Sequence, residues 1–329
     1  MGSGIKDTIG FNHQGGIMRT KHLGKHFTIV WIAIIVFLSI AFSIDVAKAQ
    51  EGLKKIADNV YSYVDIRNAS PQNSFGANAG VVVGRDGILV IDTLISSKKA
   101  RNFLEDIRTF TDKPIKYVVN SHSHLDHSFG NSEFEKQGAV IIAHQNSRKD
   151  LQLNGESTMK RARGYGLTDN DLEGTTIALP KITFSEKMEI DLGGQMVILI
   201  YPGPSHTDGS VMVYIPDKKI LFAGDILFTD YHPNLVGGDI DGWIKALDYI
   251  MSLDVNTIVP GHGPMSGKKD ISDMREYLIT FDKKAKELCA KSKDVEWIVS
   301  EMKKALPQRR ELDMMIKTDI LLKYMKKDS

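Results

Sequence analysis

Cysteine is almost missing: the 329 residues hold one, Cys289. No intramolecular disulfide can form, so the chain is held by its core or by bound metal even in an oxidising compartment. Cys289 lies in a helical pattern far in sequence from the histidine clusters, and reads as a core or half-buried helix residue. Charge of one sign is missing too. With 42 Lys and Arg against 41 Asp and Glu, the formal net charge is +1, which leaves no global electrostatic case for nucleic acid. There is no long like-charge block, low-complexity tract or internal repeat, so neither a charged tail nor a solenoid is expected. Gly-x-Ser-x-Gly is absent, which argues against a serine nucleophile on a strand-to-helix elbow. Ser121, Ser123 and Ser205 read as small loop residues.

What is present is ordinary in bulk: 42% apolar and 25% charged residues, the composition of a globular protein. Lys21 and Lys25 precede a nearly uncharged apolar run, Phe27 to Ile44, and Ala47-Lys48-Ala49 follows before Gln50. This is the pattern of a secretory signal peptide over 1–49, with Met18 a more usual start than Met1. An uncleaved membrane anchor is the other reading, and the only membrane contact expected. Both place the remainder outside the cytoplasm, periplasmic or secreted.

Strand signals begin after this segment. Val60 to Val64 alternates, and Gly80 to Val83 and Ile88 to Ile91 flank the turn Gly84-Arg85-Asp86-Gly87. Ala100, Phe103, Leu104 and Ile107 lie at helical spacing from Ser97 to Phe110, with Ser96 or Ser97 as cap. Next comes Ile115 to Val119, an apolar β-branched strand, and then Asn120-Ser121-His122-Ser123-His124-Leu125-Asp126-His127. The chain has ten His in all, and three of them stand here with a carboxylate, where a strand stops and a loop can turn its side chains to one point. Such residues suit zinc or a similar divalent metal.

The same event recurs. A strand from Ala139 ends at His144, and residues 145–178 are polar and poorly periodic, a flap or a solvated helical excursion. Strands Lys187 to Ile190 and Met196 to Tyr201 lead to Gly203-Pro204-Ser205-His206. The hairpin Val211 to Ile215 and Lys219 to Phe222 ends at Ala223-Gly224-Asp225. Thr257 to Val259 ends at Pro260-Gly261-His262. Ligand-type residues at successive strand ends converge on one rim of a sheet. The count allows two metals: His122, His124 and His206 for one, Asp126, His127 and His262 for the other, and Asp225 bridging them. Amphipathic segments at 273–290, 295–306 and 312–325 make 269–329 a helical extension of a catalytic region spanning 50–268. A lid, a dimer contact or an outer layer are its candidate roles.

His-x-His-x-Asp-His, with His206, Asp225 and His262 downstream, resembles the metallo-β-lactamase-fold hydrolase superfamily over about residues 56–266. The resemblance implies an α/β fold, a four-layer αββα sandwich with the site at one edge between two sheets. It implies the ligand division just given, with Asp92 orienting the cluster. It also implies a dinuclear zinc hydrolase, iron or manganese also suiting the ligands, in which metal-bound hydroxide attacks an ester, thioester, lactone or β-lactam carbonyl of a small-molecule substrate. Asp126 orients the water and handles its proton. The most studied lactamases of the superfamily carry Cys at the position of Asp225 and a substrate-binding Lys three residues on. Here that position is Phe228, and Asp225 resembles the bridging carboxylate of the glyoxalase II, lactonase and arylsulfatase-like branches. β-Lactamase activity, weak or promiscuous, and a non-hydrolytic exported metal-binding role stand as alternatives. The stretch from Tyr231-His232-Pro233 to Trp243 resembles a loop of exported members, with His232 as a candidate substrate-loop residue.

Overall fold

A turn of four residues, Gly84 to Gly87, and a helical crossover decide how the first sheet runs. The computed structural model describes residues 52–325. Its first sheet holds seven strands in chain order: β1 Lys54–Ala57, β2 Val60–Tyr63, β3 Ala79–Val83, β4 Ile88–Ile91, β5 Ile115–Val119, β6 Val140–His144 and β7 Ile182–Phe184. The short turn can only make β3 and β4 antiparallel. The helix α1, Ser97–Arg108, carries the chain back so that β4 and β5 run parallel. The Ser96 side chain caps α1, accepting from the Lys99 amide. Helices α2 Leu125–Ser128 and α3 Asn131–Lys136 follow β5, and α4 Gln145–Arg161 and the short α5 Asp169–Leu172 follow β6.

The second sheet has the order β12-β11-β10-β9-β8, from β8 Lys187–Asp191, β9 Met196–Ile200, β10 Met212–Ile215, β11 Ile220–Phe228 and β12 Thr257–His262. β11 and β12 are its parallel pair, joined through α6 Ile240–Ser252. Period-two alternation sorts the side chains. Val82, Leu89, Ile91 and Val119 face Val197, Leu199, Val213 and Phe222 of the other sheet. Val81, Val90, Val118 and Ile141 turn outward onto Phe103 of α1 and Phe134 of α3. The far face of the second sheet is covered by α6, α7 Lys268–Lys291, α8 Val295–Ala305 and α9 Met314–Asp319, through Trp243, Tyr277, Phe281, Ile298 and Ile316. The expected four-layer αββα sandwich with a helical C-terminal region is what the chain adopts, and those helices form an outer layer sharing the second sheet's core.

Of the two readings of 145–178 the helical one holds for its first part, and two other details differ from expectation. Residues 145–161 form one helix whose buried residues are only Ser147, Leu151 and Gly155, too few and too small to give an apolar stripe. β7 was not expected, because Ile182 and Thr183 are exposed and leave no alternation to read. β11 does not stop at Phe222: it runs on through Asp225 to Phe228, all of it buried. The segment 1–51, with the apolar run and the Ala47-Lys48-Ala49 site, lies outside the described residues. Among the described residues no helix is long and apolar enough to cross a membrane.

One buried acid stands out in the outer layer. Asp319 is fully buried, its Oδ1 accepting from the Leu235 amide at 2.8 Å. Burial pushes its carboxyl well above the ordinary range, against the help of that amide and of Lys323. A raised native pKa means the folded protein keeps a proton that the unfolded chain loses above about pH 4, so this group's contribution falls as pH rises through the native value. Asp319→Asn removes the charge and keeps the acceptor. Its urea midpoint should exceed the parent's near pH 8, with the gap closing toward pH 4. An identical pH slope in both proteins would show that Asp319 is not held protonated.

Candidate metal centre

β5 delivers the first ligand-type residues. Beyond Val119 the backbone leaves the sheet, and Asp92, at the end of β4, sets how it does so. Its Oδ1 accepts the Ser121 amide at 2.7 Å. Its Oδ2 accepts the Ser121 hydroxyl at 2.7 Å and faces His127 Nδ1 at 2.9 Å. Asp92 has a φ of 60°, a left-handed conformation that Asp tolerates better than most residues. Ser121 is therefore more than a small loop residue. With its hydrogen given to Asp92, its oxygen is free to accept from His122 Nδ1, 3.0 Å away. Behind the loop, Asn120 and Asn131 exchange amide hydrogen bonds at 2.9 and 2.8 Å, and the Thr93 hydroxyl joins at 3.0 Å. The polar groups of the turn are thus satisfied although buried.

His262 is fixed from another side. Its Nδ1 lies 3.1 Å from the carbonyl of Phe75. Ser74 and Phe75 both have positive φ, 58° and 52°, at a cost on the order of 1 kcal/mol each. That conformation is what turns the Phe75 carbonyl to the ring. The Phe228 ring stacks on His262, with centroids 5.1 Å apart and planes 3° off parallel. In His122, His127 and His262 alike, Nδ1 meets an oxygen, so Nε2 is the nitrogen left to point inward.

Asp225 reaches the centre because glycine surrounds it. Gly224 has a φ of 53°, and the β11–β12 register shifts there. A Cβ on Gly261, in β12, would stand 1.9 Å from Asp225 Oδ1. The carboxylate occupies the space a side chain at 261 would fill. Its two oxygens are divided. Oδ2 is 3.2 Å from His206 Nε2 and 3.6 Å from His122 Nε2. Oδ1 is 3.2 Å from His127 Nε2 and 3.5 Å from His262 Nε2.

Two groups of ligand atoms result: His122, His124, His206 and Asp225, and Asp126, His127 and His262, each with its atoms within 4.8 Å of one another. In the first, His124 Nδ1 is 3.0 Å from His206 Nε2. In the second, Asp126 Oδ2 is 3.3 Å from His262 Nε2 and 3.6 Å from His127 Nε2. Donors bound tetrahedrally at 2.0–2.2 Å stand about 3.3–3.6 Å apart, so both groups fit a divalent ion. His122 Nε2 and Asp225 Oδ1 are buried with no hydrogen-bond partner, which a metal would supply.

The electrostatics differ between the halves. Burial takes His122 well below the ordinary imidazole value, His206 down to about 3, and lowers His124 as well. These rings are neutral, the form that binds metal. Burial also opposes charge on His127 and His262. There the carboxylates win, Asp225 foremost: His127 is held well above its usual value, and His262 is pushed up to about 9. Asp225 is buried too, but His127 and its neighbours hold it well below the carboxylate range.

The remaining sequence candidate, His232, is not in either group. It is buried, with Nδ1 2.8 Å from the Tyr277 hydroxyl on α7, and burial takes it down to about 4. Sequence reading had no means of finding the Phe75 carbonyl, since any residue carries one. Ser121, next to His122, could have been weighed as a hydrogen-bonding neighbour.

Asp92→Asn tests the orienting role. Asn accepts the left-handed backbone and can still take the Ser121 amide. It offers His127 no second acceptor, so Nδ1 loses the partner that keeps Nε2 free. Metal held by His127, Asp126 and His262 should bind about 10- to 100-fold more weakly in a chelator competition, with the far-UV spectrum unchanged. Unaltered affinity would remove Asp92 from this role.

Comparison with known proteins agrees with the geometry. The alpha subunit of 2,4-dinitroanisole O-demethylase from Nocardioides sp. (strain JS1661) is 28% identical over 183 residues, 55% of this chain and 51% of that one. The linear primary-alkylsulfatase of Pseudomonas sp. (strain ATCC 19151) is 27% identical over 222 residues, 57% of this chain and 42% of that protein. This chain thus spans about half the length of these two relatives. A type 2 metallo-beta-lactamase from Bacteroides fragilis is 21% identical over 250 residues, 74% of this chain and 90% of the other. Among solved structures, a metallo-beta-lactamase from Pontibacter korlensis has the same fold, with a TM-score of 0.55 at 23% identity, over 69% of this chain and 98% of that one. The family profile described as the metallo-beta-lactamase superfamily matches residues 73–262, a range that holds every residue of both groups, and the chain belongs to that superfamily of hydrolases.

Proposed function

We propose that this hydrolase works with two divalent metal ions, zinc in the first instance, on the carbonyl of an ester, thioester, lactone or β-lactam. The observation that carries the proposal is the division of Asp225. One carboxylate presents one oxygen to each of two groups of imidazoles, which suits a ligand shared between two ions. His122, His124 and His206 would hold the first ion; Asp126, His127 and His262 the second. Bound metal supplies Lewis acidity toward the reacting oxygen and lowers the pKa of a water to about 7. The chain's own residues do the rest. Asp126 is the most open of the carboxylates, at 8% exposure. Burial opposes its charge, but His127 and His262 lower its pKa and keep it ionised. It is placed to align a water and to take its proton. The neighbouring Leu125 is partly buried and packs with Phe75 on the small core of Ile95, Ala162 and Leu167.

Phe228 argues against a dedicated β-lactamase. It is 2% exposed and lies flat on His262, so it offers a substrate carboxylate no cation. The relatives named above widen the range of bonds worth testing to sulfate esters and activated aryl ethers. The apolar run Phe27 to Ile44 and Ala47-Lys48-Ala49 support export of the catalytic region.

Elemental analysis of the purified protein should find two equivalents of metal. Turnover on a panel of lactones, thioesters, aryl esters, nitrocefin and an alkyl sulfate should vanish on chelation and return on reloading. His206→Ala should drop one equivalent and keep the other. Two full equivalents in that variant, or a fully loaded protein inert on the whole panel, would each count decisively against the assignment.

A further inference from the structure

We infer that Glu311, together with Arg309, is a positioning residue for His262, reaching it through the two loops that hold that ring. The inference rests on the proposed metal ligation by His262. Among the described residues, the segment between α8 and α9 does more than connect helices. The Glu311 carboxylate accepts two successive backbone amides of one loop, Asn68 at 3.1 Å and Ala69 at 3.0 Å. The same residue's backbone holds a second loop: its carbonyl accepts from the His232 amide at 3.0 Å, and its amide donates to the Asp230 carbonyl at 3.1 Å. Tyr231 and Glu311 are paired as a parallel bridge. Arg309 adds to the second loop, its Nη1 donating to the carbonyls of Phe228 at 2.9 Å and Tyr231 at 2.8 Å. The guanidinium is itself set in place over the Tyr277 ring, 4.3 Å from its centroid.

These two loops meet on His262. The first carries Phe75, whose carbonyl faces His262 Nδ1. The second, which leaves β11 at Phe228, carries Tyr231, and the rings of Phe228 and Tyr231 lie 5.1 and 5.6 Å from the imidazole. The loops are also latched to each other, the Tyr231 hydroxyl donating to the Ile66 carbonyl. Gly76 lets them close: a Cβ there would stand 2.4 Å from the Tyr231 oxygen. The first loop, between β2 and β3, contains four left-handed non-glycine residues, Asp65, Asn68, Ser74 and Phe75, a conformation that persists only where surrounding contacts impose it. Glu311 and Tyr231 are such contacts. Neither Glu311 nor Arg309 belongs to either ligand group. The influence passes through backbone hydrogen bonds and ring packing, and it acts on one half of the centre. His122 and His124 are held by other elements, and His206, whose ring also meets Phe228 edge-on at 5.7 Å, packs closer to Trp243, at 5.1 Å.

The test uses the full chain and two readouts. In metal-free protein, Glu311→Ala should raise amide hydrogen exchange across 66–78 at least tenfold, with exchange in β4 and β5 unchanged. In zinc titrations against a chelator, the variant should bind one of its two equivalents at least tenfold less tightly and keep the affinity of the other. Glu311→Gln, which retains one acceptor oxygen, should recover part of both effects. Arg309→Lys should act in the same direction through exchange at 228–235. Unchanged exchange over 66–78, or equal weakening of both zinc equivalents, would overturn the inference, the latter because it reports general loosening. Failure of wild-type protein to turn over any substrate bears on the proposed hydrolase alone, since neither readout uses activity. If wild-type protein takes up fewer than two equivalents, the metal assignment of His262 falls, and this inference falls with it.

Discussion

Seven ligand-type side chains, six of them buried and His124 half-buried, are packed so that the polar atoms of each group lie within 4.8 Å of one another. Bringing five imidazoles and two carboxylates out of solvent is costly unless each polar atom meets a partner. That constraint shapes what surrounds the centre. It requires an oxygen behind Nδ1 of His122, His127 and His262, which Ser121, Asp92 and the Phe75 carbonyl provide. It requires a carboxylate able to serve two groups at once, and so a bulged strand at Gly224 and an empty Cβ position at Gly261. The charges balance in the same way. On one side burial lowers the pKa of the rings, and on the other Asp225 and its neighbours raise that of His127 and His262 against burial.

The sandwich is the device that makes such a place. Strands from two sheets end at one edge, with ligand residues just past β5 and β9 and at the end of β12, while Asp225 projects from within β11. The inter-sheet core of Val82, Leu89, Val119, Val213 and Phe222 sets the spacing between those ends. The loops carry chemistry and strained backbone; the strands carry the burial that opposes the strain. The C-terminal helices enter this economy from outside. They cover the second sheet, bury His232 against Tyr277, and reach two of the loops over His262 through Arg309 and Glu311.

Much of this was legible in the chain because the signals were local. An apolar run followed at once by His or Asp recurs from β4 to β12, and most of the residues it marks are those the fold gathers; His144, at the end of β6, is not, and lies against the Ser185 carbonyl and the Tyr201 ring. Where the signal was not local, the reading fell short. Ala223-Gly224-Asp225 reads as the end of a strand, since Gly and Asp are turn residues. In the fold it is the middle of β11, because the bulge at Gly224 is satisfied by β12, which is about thirty residues away in sequence. The stretch forming helix α4 stays open between a flap and a helix for a related reason: it buries a Ser, a Leu and a Gly, and its apolar stripe is too thin to register as a period.

Residue identity and order therefore determine the superfamily, the two sheets and the list of groups able to bind metal, because strand ends and ligand chemistry are written in short stretches. Only the tertiary structure decides how the groups are shared. That Asp225 turns one oxygen to each half, that Phe75 offers its carbonyl to His262, and that Glu311 clasps the loop bearing Phe75 all depend on contacts between segments far apart in the chain. A side chain's neighbours across such distances are set by packing, and no local pattern of residues encodes them.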